Sequence, residues 1–345
     1  MSGRLRCYSF HSVKGGVGKS TLSVATALGL SQRQGAQVTL VDMDLTGTSL
    51  ADVLPLEAPA WDDIHHPSDP LPLQERPSGF LSRTQTRVSM EMRDDIARTE
   101  LETDELGPVE DRAAHGVPFL NDFLLFATPD WDAQRDVPVE SLLWRLGGAS
   151  HDSLRVIPSS ALPTDLERII PVVFDESHSG FLEGRLEYLL DALVPEEGEA
   201  TVVLDTPPTI PGLSRSVLSL ALRLSREEKV PLSQDGSMPE RLKQAQVQWT
   251  AFLVSTMDRQ DIRAATRWLS LVEPEEAAHV RFLINRSRPG DEQQLEHHLR
   301  AIVGDEPNAL VNERRWVKEQ RSLELFRSDG ELKVPEGVLA FLGEG

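Results

Sequence analysis

The chain has 345 residues, with 35 Lys and Arg against 55 Asp and Glu, so its formal net charge is -20 at pH 7. This balance argues against a protein whose whole surface binds nucleic acid or anionic lipid, because the summed field repels phosphate. The single cysteine, Cys7, excludes an intrachain disulfide framework and a cysteine-based zinc site. No apolar run approaches a membrane span and the N-terminus lacks an apolar signal core, so we expect a cytoplasmic protein.

The first predicted element is a strand over residues 5–10, which a glycine-rich loop and a helical pattern over residues 20–34 follow directly. This order suits a phosphate site, because loop N–H groups turn inward and the helix N-terminus adds positive potential. Lys19 would supply a charge to the β- and γ-phosphates, and Ser20 would hold Mg²⁺ through its hydroxyl. We therefore predict a nucleotide site formed by Gly15, Gly16, Val17, Gly18, Lys19, Ser20 and Thr21.

A second lysine, Lys14, precedes the glycines, and Val13 stands where the general P-loop pattern has a glycine. The run KGGVGKS resembles the KGGxGK[ST] signature of the ParA/MinD class of deviant Walker A ATPases. The resemblance implies ATP as the nucleotide and an ATP-sandwich homodimer, in which Lys14 reaches the nucleotide of the partner subunit. The alternative for Lys14 is a solvated loop charge.

A predicted strand over residues 37–42 delivers Asp42 and, two positions later, Asp44. Carboxylates at the C-terminal end of a parallel strand face the ligand crevice of an open α/β sheet. The segment resembles the DxDxxG motif of the same class. That resemblance implies that Asp44 orients the attacking water and that Asp42 lies in the magnesium shell. Two aspartates that only cap a loop are the alternative.

Strands over residues 122–127 and 154–158 and a helix over residues 181–193 are predicted next. The buried-strand pattern over residues 201–205 then ends at Asp205, and the Thr-Pro-Pro that follows continues neither a strand nor a helix. This resembles the Walker B form hhhhDxPP of the class. It implies that Asp205 coordinates Mg²⁺ through water.

The remaining predicted elements are a helix over 213–224, a strand over 250–255, a helix over 261–271 and a strand over 280–285. The last strand ends at Asn285, and the resemblance implies that this residue contacts the adenine. The following Arg-Ser-Arg lacks the lysine and aspartate expected of a GTP-specific relative, so ATP is favoured. An Asx turn is the alternative for Asn285.

The alternation of strands and helices predicts an α/β fold, with a doubly wound, mostly parallel sheet flanked by helices, as one P-loop ATPase domain over residues 1–345. Residues 56–121 predict an acidic, partly flexible insertion in which 87–105 could form a polar helix. Residues 57–112 contain 14 acidic residues against six arginines, a net charge of -8. Residues 225–246 predict a second, smaller insertion. Both are either variable surface segments or a partner-specific face.

These observations favour a weakly hydrolysing Mg-ATPase whose ATP-dependent dimer positions or recruits a cargo or a protein partner. One alternative is a client-targeting ATPase of the arsenite-pump or tail-anchor type. Another is a nucleotide-sensing scaffold with negligible turnover. The iron–sulfur carriers of this class use paired cysteines, and the only cysteine here, Cys7, is predicted to lie in a core strand.

Partners are open. Arg314, Arg315, Lys318 and Arg321 fall at helical spacing with acidic neighbours, which fits a solvated helix face or a nonspecific DNA site. Residues 334–345 carry apolar side chains among acidic residues and glycines, unlike a basic membrane-docking helix. We therefore expect no membrane targeting.

Overall fold

Nine strands of the described chain form one sheet at the centre of the computed structural model. The structure describes residues 3–33, 35–45, 50–57, 119–125, 139–146, 153–160, 163–208, 211–226, 238–272, 275, 277, 279–303, 314–318, 334 and 338–342. The strands are β1 (Arg4–His11), β2 (Val38–Asp42), β3 (Leu56–Glu57), β4 (Trp144–Leu146), β5 (Leu154–Ile157), β6 (Glu199–Asp205), β7 (Gln246–Ser255), β8 (Val280–Ser287) and β9 (Arg314–Lys318). Their order is β3-β4-β5-β2-β6-β1-β7-β8-β9, and only β4 runs antiparallel to its neighbours. The predicted mostly parallel sheet is confirmed.

Helices cover both faces of this sheet. They are α1 (Lys19–Ser31), α2 (Leu50–Val53), α3 (Leu120–Leu125), α4 (Pro163–Phe174), α5 (Ser179–Leu193), α6 (Pro211–Leu224), α7 (Glu240–Gln244), α8 (Arg259–Leu269) and α9 (Asp291–Val303). Along β1, Leu5 and Cys7 pack in the core beneath α5 and α6, whereas Tyr8 and Phe10 pack beneath α1. Successive strand side chains point to opposite faces, so one central strand serves two cores.

Residues 122–125, which were predicted to begin a strand, lie instead in helix α3, so that prediction is wrong for them. Residues 126 and 127 lie outside the described residues. The backbone N–H of Phe119 donates to Asp122 Oδ2 at 2.8 Å, which is one half of a capping box. Asn121 also binds both backbone groups of Ser160, at 2.7 and 3.2 Å. These bonds at the helix start outweigh the β preference of the apolar residues that follow.

The basic residues predicted on a helix face lie instead on strand β9. That prediction is wrong because Trp316 and Val317 favour extended backbone and β9 pairs in parallel with the end of β8. Arg314 donates to Glu296 of α9 at 2.7 Å, so part of the positive charge is already balanced. Arg321 lies outside the described residues.

Described residues of both predicted insertions lie in the core, although Ser225 and Arg226, at the start of the second, are exposed. Leu56 and Phe119, at the two ends of the first, are buried, and so are Met238 and Leu242 in the second. Leu242 lies on α7, where its backbone N–H donates to Asp191 of α5 at 2.6 Å. The predicted polar helix over residues 87–105 lies outside the described residues.

A short 3-10 helix, Val338–Leu342, closes the core beside α1. The ring of Phe341 packs edge-on against Phe252, with their centroids 5.2 Å apart. A side chain at Gly29 of α1 would place its Cβ 2.3 Å from Leu339 Cδ1, so a larger residue there would require the Leu339 side chain to move. The apolar side chains of this segment are therefore used in the core rather than presented to a lipid surface. No helix of the described chain is long and apolar enough to cross a membrane.

Helices α5 and α6 share a buried charged cluster. Arg223 of α6 lies 3.2 Å from Glu183 and 2.8 Å from Glu187 of α5, and the two carboxylate side chains are 9% and 4% exposed. Burial raises the pKa of both glutamates, and the charge of Arg223 opposes the increase. The cluster therefore depends on one arginine to balance two desolvated carboxylates.

Candidate active site

Three neighbouring strands end at one point of the sheet. Phe10 of β1 and Asp42 of β2 both lie opposite Asp205 of β6 in the parallel register. The carboxyl ends of β1, β2 and β6 therefore bring the glycine loop and the two aspartate motifs together. This is the crevice where ligands bind in open α/β sheets.

The glycine loop between β1 and α1 is shaped for an anion. Gly18 caps α1 with φ of 88°, in the left-handed region, and the first turn of α1 contains no acidic residue. A Cβ at Gly18 would lie 2.3 Å from Asn285 Nδ2, so both the backbone conformation and the space require glycine. Gly15 and Gly16 are exposed, while Val17 is buried. The loop thus offers free backbone on one side and is fixed on the other.

Lys19 lies beneath this loop with its ammonium group in the protein interior. Its side chain is 6% exposed, and Nζ lies 2.7 Å from Asp205 Oδ1 and 3.8 Å from Asp44 Oδ2. Ser23, one turn further along α1, donates to the same Asp205 oxygen at 3.1 Å. The predicted lysine and two of the predicted aspartates therefore form one charge cluster.

The two aspartates predicted to lie near Mg²⁺ differ in their contacts. Asp205 Oδ2 is buried and has no hydrogen-bond partner among the described residues, so it is an acceptor that a magnesium-bound water would satisfy. Asp42 accepts from the backbone N–H of Asp44 and Leu50, at 3.2 and 2.8 Å, and from Ser159 Oγ at 2.8 Å. Burial and the nearby Asp205 raise the pKa of Asp42 to about 7. Asp205 fits the predicted metal site, whereas the Asp42 carboxylate is engaged by protein donors.

The second lysine, Lys14, points away from this cluster. Its Nζ lies 3.1 Å from Asp261 Oδ1 in the first turn of α8, and its side chain is 41% exposed. Thr256 Oγ1 donates to the other oxygen of Asp261 at 2.6 Å. In this arrangement Lys14 contacts its own chain rather than the site around Lys19.

Sequence reasoning assigned no role to His11, yet it connects the site to its surroundings. Thr206, directly after Asp205, donates its hydroxyl proton to the Phe10 carbonyl at 2.7 Å, so it accepts from His11 Nδ1 at 3.3 Å. His11 Nε2 then accepts from Ser9 Oγ at 2.9 Å. Ser9 in turn accepts from Trp249 Nε1 at 3.0 Å. Since each hydroxyl has one proton, the neutral Nδ1–H tautomer of His11 is fixed. The position of His11 at the end of a buried strand was the feature of the sequence that could have indicated this role.

We expect His11 to make the folded protein sensitive to acid. Burial, assisted by the charge of Lys19, lowers the pKa of His11 from 6.5 to about 3. As the pH falls through 6.5 the unfolded chain takes up this proton and the folded chain does not, so stability is lost. Each pH unit in that window should cost about 1.4 kcal/mol. Urea unfolding of wild type and His11→Gln between pH 6 and pH 5 checks this; equal slopes would contradict it.

Asn285 supports the loop from the end of β8. Its Nδ2 donates to the Val17 carbonyl at 2.8 Å, and its Oδ1 accepts from the Arg286 N–H at 2.9 Å. Arg286 has φ of 57°, the one positive φ among described residues other than glycine, and the β8–β9 pairing is irregular here. The adenine contact remains a prediction, and the observed contact is with the glycine loop.

Strand, glycine loop and helix, with a buried aspartate at the end of the neighbouring strand, define a P-loop NTPase. A sequence model of the family described as ParA, NUBPL iron-transfer P-loop NTPase, matches residues 6–85. The KGGVGKS run lies inside that match, so this part of the chain is similar to the ParA family, in agreement with the resemblance that its motifs predicted. A comparison with curated protein sequences finds no match.

Solved structures that are similar to this chain include three nucleotide-binding or partition proteins. A variant of Cyanothece McdA in complex with ATP is 14% identical, with 99% of this chain and 97% of that chain covered and a TM-score of 0.49. A plasmid partition protein from Borrelia burgdorferi is 12% identical, with coverage of 92% and 91% and a TM-score of 0.43. MinD with Mg-ADP from Pyrococcus horikoshii OT3 is 13% identical, with coverage of 92% and 82% and a TM-score of 0.43.

Proposed function

We propose that the protein binds Mg-ATP, hydrolyses it slowly, and forms an ATP-dependent homodimer that positions or recruits a protein partner or cargo. The observation that carries the proposal is the position of Lys19. It is buried beneath an open glycine loop, between the carboxylates of Asp205 and Asp44. A buried ammonium group at a helix N-terminus, with two acidic partners that can release it, is the arrangement that a phosphate ligand needs.

Phosphoryl transfer depends mainly on positioning and charge stabilisation. When ATP binds, Lys19 would exchange its carboxylate contacts for phosphate oxygens, and the loop N–H groups from Gly15 to Thr21 would donate to the phosphates. Ser20 and the unpartnered oxygen of Asp205 would hold Mg²⁺, which neutralises charge on the β- and γ-phosphates when bound. Asp44, 16% exposed at the mouth of the site, would orient the attacking water.

The dimer is proposed from Lys14. Its ammonium group is half-exposed and contacts Asp261, so it is available for exchange with a phosphate of a second subunit once that pair opens. The iron transfer in the name of the matching family is not carried over, because the only cysteine, Cys7, is buried in the centre of β1. Burial also raises the pKa of this thiol, which keeps it protonated.

Nonspecific DNA binding is a weaker option for the partner. Arg314, Arg315 and Lys318 lie on one short strand, and Arg314 is paired with Glu296. A protein partner is therefore favoured, and DNA is one outcome of the following test. A client-targeting ATPase would instead co-purify hydrophobic clients, and a nucleotide-sensing scaffold would show negligible turnover.

We expect Asp44→Ala to bind ATP and to accumulate as a dimer, because it loses water positioning but keeps Lys19 and the glycine loop. Hydrolysis should fall by about a hundredfold or more. Light scattering should show the mass doubling from 38.3 kDa with Mg-ATP but not with Mg-ADP, with DNA added in a parallel run.

The matched control is Lys14→Ala, which should bind ATP as a monomer. Wild-type hydrolysis by Asp44→Ala would remove this residue from the mechanism. A mass that does not respond to nucleotide would contradict the dimer and leave the scaffold alternative.

A further inference from the structure

The carboxylate of Asp42 connects three chain segments around Asp44. Its Oδ1 accepts from the backbone N–H of Asp44 at 3.2 Å, within its own loop. Its Oδ2 accepts from the N–H of Leu50, the first residue of α2, at 2.8 Å. The same oxygen accepts from Ser159 Oγ at 2.8 Å, at the end of β5. Asp42 is 1% exposed, so these contacts are shielded from water.

The contact with Ser159 continues to a fourth segment. Ser160 is the next residue, and both of its backbone groups are bound by the side-chain amide of Asn121 in α3. Asn121, Ser159 and Ser160 are each 1% exposed or less. The backbone of Leu120 adds a further bond to the Pro158 carbonyl at 2.9 Å. A continuous buried path therefore runs from Asn121 through the end of β5 to Asp42 and the backbone of Asp44.

We infer that Asp42, Ser159 and Asn121 are positioning residues that fix the backbone of Asp44, and that Asp42 is not part of the magnesium shell. This inference rests on the proposed function, in which Asp44 orients the attacking water. The contrast with Asp205 supports it. Asp205 has a buried oxygen without a hydrogen-bond partner in the part of the chain that the structure describes, whereas both Asp42 oxygens already accept protein N–H or O–H groups. A metal-bound water would have to displace those donors.

The path also has a defined place in the chain. In the sequence, residues 58–118 follow β3, which itself follows α2. They are followed by Phe119 and then by α3. The helix before β3 is bonded to Asp42 at Leu50, and the helix after Phe119 is bonded to Ser160 at Asn121. The positioning path therefore connects Asp44 with α2 and α3.

Ser159→Ala tests the inference, because it removes one donor to Asp42 and leaves every predicted phosphate contact intact. We expect kcat for ATP to fall about tenfold with an unchanged KM, since the loss is in the alignment of water. Asn121→Ala should give a smaller decrease in kcat. In the double variant, the fold-decrease in kcat should be smaller than the product of the two single fold-decreases, because both residues act through one path. The matched control is Ser153→Ala, which removes a hydroxyl bond to Ser31 at the other end of β5.

Two further measurements test this inference independently of the proposed function. Amide hydrogen exchange of nucleotide-free protein should be faster in residues 42–45 of Ser159→Ala, and unchanged there in Ser153→Ala. Calorimetric titration of ATP at several Mg²⁺ concentrations should show the same magnesium requirement for Asp42→Asn and wild type. Equal exchange in the two serine variants, or a magnesium requirement raised about tenfold by Asp42→Asn, would overturn the inference. An inactive wild type would instead contradict the proposed function, while the exchange result still decides the inference.

Discussion

Lys19→Ala is expected to abolish detectable nucleotide binding and also to destabilise the protein without nucleotide. Binding should weaken by about a hundredfold or more, because Lys19 is the buried cation of the proposed phosphate site. Stability should fall by about 3 kcal/mol, because the buried carboxylate of Asp205 loses the ammonium group 2.7 Å away. Calorimetric titration with Mg-ATP and urea unfolding in nucleotide-free buffer measure the two effects.

A second variant distinguishes the loss of nucleotide binding from the loss of folding stability. Adding Asp205→Asn to Lys19→Ala should recover most of the stability, since the buried carboxylate that lies nearest Lys19 is then neutral, but should not restore binding. Lys14→Ala is the matched control in the same loop, and its exposed pair with Asp261 should contribute less than about 1 kcal/mol. Unchanged ATP affinity in Lys19→Ala would disprove the assignment of the phosphate site.

Arg223→Ala is expected to cause the largest loss of folding stability, about 3 to 5 kcal/mol at pH 7. The substitution leaves Glu183 and Glu187 buried between α5 and α6 without the arginine that pairs with both of them. Both carboxyls already have raised pKa values, so the folded state takes up protons more readily than the unfolded state. Stability is therefore lost as the pH rises above the unfolded value of 4.5, and the deficit of the variant should shrink between pH 7 and pH 5.

The chain offers a matched control for Arg223 two residues after the end of the same helix. Arg226 pairs with Glu275 at 3.0 Å, but the two side chains are 47% and 76% exposed. Arg226→Ala should therefore cost less than about 1 kcal/mol. Glu183→Gln and Glu187→Gln, added to Arg223→Ala, should recover stability. Equal losses for the two arginine variants in urea unfolding would contradict the role of burial.

Most of the sheet could be predicted because its strands carry strong local signals. Strands β2 and β6 are continuous β-prone runs that end in aspartate, and the structure has them within a few residues of the predicted bounds. The segment at residues 122–127 could not be assigned locally, because its apolar run suits a strand and a buried helix equally. The hydrogen bond from the Phe119 N–H to Asp122 caps the segment and favours the helix. Strand β9 was missed because its extended form depends on pairing with β8.

The site was predictable where residues act through a contiguous motif. Lys19, Asp44 and Asp205 were singled out from sequence, and they lie together in the structure. Partners that are distant in the chain could not be found in this way. Asp261, which holds Lys14, lies 247 residues later and belongs to no motif. The contacts of His11 and Ser159 likewise could not be predicted, because they depend on the register that brings the ends of β1, β5 and β6 to one edge.

The place of β1 in the sheet has a consequence for the synthesis of the protein. Arg4 of this first strand lies opposite Glu199 of β6 and Gln246 of β7. The ribosome must therefore synthesise the chain as far as Glu199 before β1 gains its first neighbour, and the core beside α1 also requires Phe341, which is synthesised later. Until then the apolar strand β1 and helix α1 remain exposed, so the nascent chain passes through a long aggregation-prone stage.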